Sequence, residues 1–329
     1  MVVESRISGN GLNGLFPFEV SQRHLIRADM GRDESAIKGT GRVSGFLMNM
    51  MGPNDDATII RLDRSVLWTL DLRKKQYVEC PLTGCQTAKP ARAQQQQKPQ
   101  HSERKHEPEC KMSIAKKRFT VTPTGQNRSV NGFNASEYRG DWTVTLRDQA
   151  GRTSTSSLKL EVWTTPMTPS IREALQLQRD YVLRLAKAAR GGAIAAKAPR
   201  DPIVVMSPEV SDALLSELGG NLTAGDRELL AAGKELDRIK GLPVHTRFDW
   251  SFDGNACATD DTAGSKPSGG NQAGGLSGIA SALSGSKSGG EKPDGPLFTF
   301  TYDLKTLKVE PVRDGLFDVP KSFRRADPG

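Results

Sequence analysis

The stretch Thr58-Ile-Ile-Arg-Leu-Asp-Arg-Ser-Val-Leu-Trp-Thr-Leu-Asp-Leu-Arg-Lys-Lys-Gln-Tyr-Val-Glu79 decides how this chain is read. Apolar side chains recur at every second residue, and polar clusters interrupt them at Asp63-Arg64-Ser65 and at Leu72-Arg73-Lys74-Lys75. That pattern predicts three short strands in a meander. Ile60, Leu62, Val66, Trp68, Leu70 and Tyr77 then fall on one buried side of an antiparallel sheet, and Arg61, Asp63, Thr69 and Asp71 face the other way.

The same period recurs on both sides of the meander. Alternation from Val20 to Met30 predicts an early strand or two. After a gap, Phe119, Val121 and Pro123 lead to the hairpin dipeptide Asn131-Gly132, then to Trp142, Val144 and Leu146, and through the turn Asp148-Gln-Ala-Gly151 to Leu158, Leu160 and Val162. Leu242 to Phe252 resumes the sheet, with Val244, Thr246, Phe248, Trp250 and Phe252 only partly in step. Leu297–Tyr302 and Leu307–Val312 read as a final hairpin around Asp303-Leu-Lys-Thr306, and the tail from Phe317 to Phe323 reads as a seal over the sheet. An up-and-down order of this length favours a half or whole barrel, because a twisted sheet of many strands bends.

Between these strands the period turns helical. Thr168 as cap and Pro169 at the first position open a stripe of Ile171, Ala174, Leu175, Gln178, Tyr181, Val182, Leu185 and Ala189 that ends near Gly191-Gly192. Two further helices are expected, from Ser207-Pro208 to Gly219-Gly220 and from Thr223 to Gly241. Amphipathic helices beside a one-sided sheet belong on its apolar concave face. Their apolar stripes lack tryptophan and phenylalanine and their polar sides mix both charge signs, which favours protein packing over a membrane surface. The reading is one domain over 1–329, with a helical lid at 168–240 and two low-complexity inserts at 86–117 and 258–295.

The meander also carries a resemblance. Its arginine-leucine-aspartate turn, valine-x-tryptophan-x-leucine-aspartate and lysine-x-tyrosine between Ile60 and Tyr77 resemble the signature of an uncharacterised bacterial cell-envelope family, a domain of unknown function. Val130-Asn-Gly-Phe-Asn-Ala-Ser-Glu-Tyr138, Leu160-Glu-Val-Trp-Thr164 and Gly315-Leu-Phe-Asp-Val-Pro-Lys-Ser-Phe323 resemble it in the same order. The resemblance implies an α+β fold similar to the periplasmic lipoprotein carriers: a strongly curved antiparallel sheet, a half or incomplete barrel, with helices packed on its concave face. It also implies export and a periplasmic or extracytoplasmic location. Met1-Val-Val-Glu-Ser-Arg has neither the basic start nor the apolar core of a signal peptide, so a leader trimmed away is expected.

Composition narrows the function. The chain has 329 residues, 33 glycines, 19 prolines and a formal charge of +8, with a mean hydropathy of -0.50. No apolar run approaches the ~20 residues that span a bilayer as a helix. Nine Lys/Arg and three Glu lie between Gln86 and Arg118, so +6 of the +8 sits there. That segment lacks the interleaved aromatics that stack on bases, so nucleic acid is not the expected partner. Phosphate-loop, nucleophile-elbow, zinc-protease and dinucleotide fingerprints are missing from the sequence, and no catalytic residue or cofactor is assigned.

The expected function is non-catalytic: carriage of a hydrophobic guest, a lipid or a lipoprotein acyl chain, in a cleft between sheet and helices. Candidate lining residues are Phe46, Leu47, Met48, Trp68, Trp142, Leu175 and Val182. The alternative is a structural or protein-interaction envelope module whose helices fill the cavity. A third reading is metal handling, with copper on Met48, Met50 and Met51 or zinc on Cys80, Cys85, His101, His106 and Cys110. Four cysteines, Cys80, Cys85, Cys110 and Cys257, are compatible with two disulfides in an oxidising compartment, in any of three pairings.

Overall fold

The computed structural model describes residues 1–11, 16–41, 55–83, 112–189, 235–254, 256 and 295–327. These residues make a mostly-β structure: one 12-stranded, mostly antiparallel sheet and one long α-helix. The strands are β1 (Val2–Gly11), β2 (Phe16–Arg27), β3 (Met30–Gly39), β4 (Asp55–Arg61), β5 (Val66–Asp71), β6 (Gln76–Pro81), β7 (Met112–Val130), β8 (Phe133–Asp148), β9 (Thr153–Thr165), β10 (Leu242–Gly254), β11 (Phe298–Lys308) and β12 (Arg324–Arg325). Helix α1 (Pro169–Ala188) joins β9 towards β10. The spatial order is β12-β6-β5-β4-β3-β2-β1-β11-β10-β9-β8-β7.

The predicted meander forms as β4, β5 and β6. Its turns at 62–65 and 72–75 end on Ser65 and Lys75, both in the left-handed region at φ 54° and 51°. Such turns fix the register, which pairs Ile59 with Trp68 and Ile60 with Leu67. The meander is therefore not one-sided. Ile60, Leu62, Leu67, Val78 and Cys80 pack beneath α1, whereas Ile59, Val66, Trp68, Leu70 and Tyr77 pack on the opposite face around Phe317. Consecutive residues alternate between two cores, and Ile60 and Leu62 lie on the side away from Trp68 and Leu70.

The C-terminal chain supplies the second cover. From Val309 it crosses the face opposite α1, buries Phe317 completely among Leu25, Ile59, Trp68 and Leu70, and ends as β12, parallel to β6. Arginines on the sheet hold this strap. Arg32 donates to the Leu316 carbonyl at 2.8 Å, and Arg61 donates to Asp318 at 2.8 Å and to the Phe317 carbonyl at 3.4 Å. Arg27 donates to the Val312 carbonyl and pairs with Asp314. Arg61, expected on a solvated face, is instead buried, with Asp63 bound to its guanidinium at 2.6 and 2.8 Å.

α1 forms as the sequence predicts. Thr168 Oγ1 accepts from the Ile171 amide, Pro169 opens the first turn, and Ile171, Ala174, Tyr181, Leu185 and Ala189 are buried. Of the other two expected helices, the first lies outside the described residues and the second is described only from Glu235, in its last turn.

The expected strong curvature is corrected: the sheet is neither closed nor strongly curled. With α1 on one face and the strap on the other, the β1–β6 half has no single concave surface to wrap. The final hairpin is also corrected. Residues 298–308 are one continuous strand between β1 and β10, and the polar cluster at 303–306 marks a bulge beside Glu4/Ser5. A second bulge at Pro243/His245 explains why Val244 is out of step with Thr246, Phe248 and Trp250. The first insert is shorter than expected on its C-terminal side, because 112–117 already belong to β7.

Candidate functional site: an aromatic face beside the helix

Strand register assembles the site from side chains far apart in sequence. In β7–β11, residues directly opposite one another share a face. One row across the sheet reads Phe119, Trp142, Leu158, Trp250 and Phe298; the next reads Val121, Gly140, Leu160, Phe248, Phe300, Gly9 and Phe18. These rows share the face that α1 occupies. On the unbroken ladder of β2, Phe18 has the same parity as Ile26, which packs beneath the helix.

The helix covers one end of this face and leaves aromatics at the other. Ile171 and Leu175 pack with Tyr302, Leu304 and Phe300, at the boundary between them. Beyond it, Phe119, Trp142, Leu158, Phe248, Trp250, Phe298 and Phe18 are only half-buried. Phe248 and Phe300 stack with centroids 4.7 Å apart and planes 14° from parallel. The indole Nε1 of Trp250 donates to Ser156 Oγ at 2.8 Å, which fixes that ring. Glycines flatten the surface: the ring of Phe18 lies where a β-carbon on Gly9 would sit, and Leu160 lies over Gly140.

The opposite face of the same strands is a charge lattice. Arg139, Glu161 and Arg247 form one row and Asp141, Lys159 and Asp249 the next, so every directly opposed pair has opposite sign. This half of the sheet is thus apolar on one side and charged on the other, as the alternation predicts.

A second, polar cluster gathers where the β7–β8 hairpin tip reaches β11. His245 Nδ1 lies 2.9 Å from Asp303 Oδ1, Asn131 Nδ2 donates to the same oxygen at 3.2 Å, and Lys305 Nζ donates to Asn131 Oδ1 at 2.9 Å. The His245 hydrogen bond, with help from Asn131 and Lys305, holds the Asp303 carboxyl down at about 2. Next to it Arg128 sits 3.9 Å over the Trp163 ring, whose Nε1 donates to Glu161 at 2.7 Å. These contacts fasten the hairpin tip to the sheet. No local stretch of sequence pairs His245 with Asp303; only the β10–β11 register brings them opposite one another.

The predicted lining residues do not gather in one cleft. Trp142 lies on the aromatic face and Leu175 borders it, but Val182 is packed into the core under α1, and Trp68 lies on the strap side, its Nε1 donating to Glu79 at 2.8 Å. Phe46, Leu47 and Met48 lie outside the described residues, as do Met50, Met51, His101 and His106. The aromatics of β10 and β11 were missed as a site, although their period-two spacing was visible. Cys80 is buried beneath α1 and is not a free thiol; Cys85, Cys110 and Cys257 lie outside the described residues. Among the described residues no three His, Cys, Asp or Glu converge as a metal site, and no helix is long and apolar enough to cross a membrane.

No protein-family model, curated protein or solved structure matches this chain.

Proposed function

We propose that the chain is a non-catalytic binding protein for a hydrophobic guest, a lipid or a lipoprotein acyl chain, which lies along the aromatic rows beside α1. One observation carries the reading: Phe119, Trp142, Leu158, Trp250 and Phe298 in one row, and Phe248, Phe300 and Phe18 in the next, stay half-buried at the end of a sheet face whose other end is covered by a helix. Five strands spaced by ~4.8 Å give a row about 19 Å long, the reach of a long acyl chain. Each methylene laid against it contributes about 0.8 kcal/mol before the cost of ordering the guest. The resemblance to the envelope family, and through it to the lipoprotein carriers, points the same way, with export to the periplasm as part of this proposal. The sheet departs from that pattern in its shallow curvature.

A second reading has its own support. The stripe of α1 is fully used against the sheet, as in an interaction module that fills its own cavity. The two separate on titration with an environment-sensitive fatty acid. The carrier reading expects a saturable, displaceable signal that Trp250→Ala and Phe300→Ala together reduce at least tenfold while the far-UV spectrum and Tm stay near wild type. A wild-type protein that gives no displaceable signal favours the module.

A further inference from the structure

The two edges of the sheet are finished differently. β6 is paired at Gln76 and Tyr77 by the two-residue β12, whereas β7, nineteen residues long, is, among the described residues, hydrogen-bonded as a strand only to β8. An open edge offers outward N–H and C=O groups to any extended chain. At one point that offer is already taken up by side chains. Val121 donates its amide to Glu235 Oε2 at 3.1 Å and accepts at its carbonyl from Arg238 NH1 at 3.4 Å, and these two side chains pair with each other at 3.4 Å. A carboxylate and a guanidinium thus stand in for the acceptor and donor of a neighbouring strand.

The charge of the edge selects what else would lie there. β7 contains Lys116, Lys117, Arg118 and Arg128 and no acidic residue, and residues 113–118 are exposed. The residues directly opposite Lys116 and Arg118 on β8, Thr145 and Thr143, are uncharged. Three of the nine cations between Gln86 and Arg118 are therefore on a sheet edge. Pro123, which has no N–H, interrupts the outer edge beyond Val121, so the usable stretch runs from Ser113 to Val121, with a bulge at Ile114/Lys116.

From this we infer that the β7 edge is a docking site for an extended, acidic segment of a protein partner, added as a thirteenth strand, with Glu235 as the chain's own competitor at Val121. This edge borders the aromatic rows at Phe119 and Val121, but it would be held through outward backbone groups and charge, so the inference does not depend on the hydrophobic guest. The usual strand-addition logic applies, with backbone bonds giving affinity and alternate side chains giving selectivity.

The test uses the full chain and three labelled twelve-residue peptides read by fluorescence anisotropy: alternating Glu and Val, the same with Lys for Glu, and the Glu peptide N-methylated at alternate amides. The acidic peptide is expected to bind, the lysine peptide not to bind, and N-methylation to weaken binding at least tenfold. Glu235→Ala should tighten the acidic peptide several-fold, and Lys116→Glu with Arg118→Glu should abolish it, with hydrogen exchange slowing at 113–121 only when the acidic peptide is present. Equal binding of the N-methylated peptide would mean charge attraction without strand addition and would overturn the inference. Failure of both wild type and Glu235→Ala to bind would overturn it too, as would a concentration-dependent dimer through β7, which assigns the edge to a second copy.

Discussion

Truncating Phe317 to alanine tests the strap directly. The ring is completely buried on the face opposite α1, against Leu25, Ile59, Trp68 and Leu70. An aromatic side chain buries roughly 150–250 Å², which at about 25 cal/mol per Å² is worth roughly 4–6 kcal/mol. Alanine keeps its β-carbon, and Phe→Ala in cores costs about 3–5 kcal/mol once the residual cavity is included. Phe317→Ala should therefore lower the unfolding free energy by about 3–5 kcal/mol, a large part of a typical domain's stability. Urea denaturation followed by tryptophan fluorescence measures it, with Trp68 as a reporter on the same face. A loss below about 1 kcal/mol, comparable to a surface substitution, would refute the claim that the strap is part of the core.

Other substitutions probe single features. Tyr181 is buried, and its hydroxyl has no hydrogen-bond partner among the described residues; burial, with the nearby Asp33 carboxylate, pushes its phenol up. Tyr181→Phe should raise stability by about 1 kcal/mol, and a loss of that size in thermal unfolding would show that the hydroxyl is satisfied. Gly31 lies under that hydroxyl, so Gly31→Ala should cost about 1–3 kcal/mol through overpacking and less in the Tyr181→Phe background; equal costs in both would contradict the contact. Asp303, lowered in the folded state from 3.8 to about 2, contributes stability above pH 4 that disappears as pH falls towards 2. At about 1.4 kcal/mol per unit this is about 2 kcal/mol. The stability gap between wild type and Asp303→Asn should shrink to near zero between pH 5 and pH 2 in denaturant titrations; a gap independent of pH would place the pair outside the folded-state electrostatics.

Much of the sheet was legible because period-two alternation and turn chemistry are local. The meander, the Asn131-Gly132 hairpin (φ 52° and 86°), the Asp148–Gly151 turn and the capped helix at Thr168 all appear where local signals place them. What local signals miss is which face each residue joins once two covers compete. Leu25-Ile26, Ile59-Ile60 and Leu67-Trp68 are adjacent apolar pairs, and in the structure each splits between the α1 side and the strap side. Such doublets are the sequence mark of a strand buried on both faces, and reading them as one-sided led to a cleft around Trp68. Bulges were the second obstacle. Lys305 and Val244 interrupt the alternation without ending a strand, so β11 resembled a hairpin and β10 looked out of step. The join of β9 to β10 that completes the aromatic face and the His245–Asp303 pair are products of register between residues more than 50 apart, which no short window along the chain contains.

A hydrophobic guest that lies along the aromatic rows would survive purification with the protein. Organic extraction of the purified protein, followed by mass spectrometry of the extract, detects such a guest. The account predicts a co-purifying lipid or acyl species near one equivalent per chain, which falls sharply when Trp142, Trp250 and Phe300 are replaced together by serine in a protein that still folds. An extract with no lipid, from protein that also fails to take up added fatty acid, would contradict it.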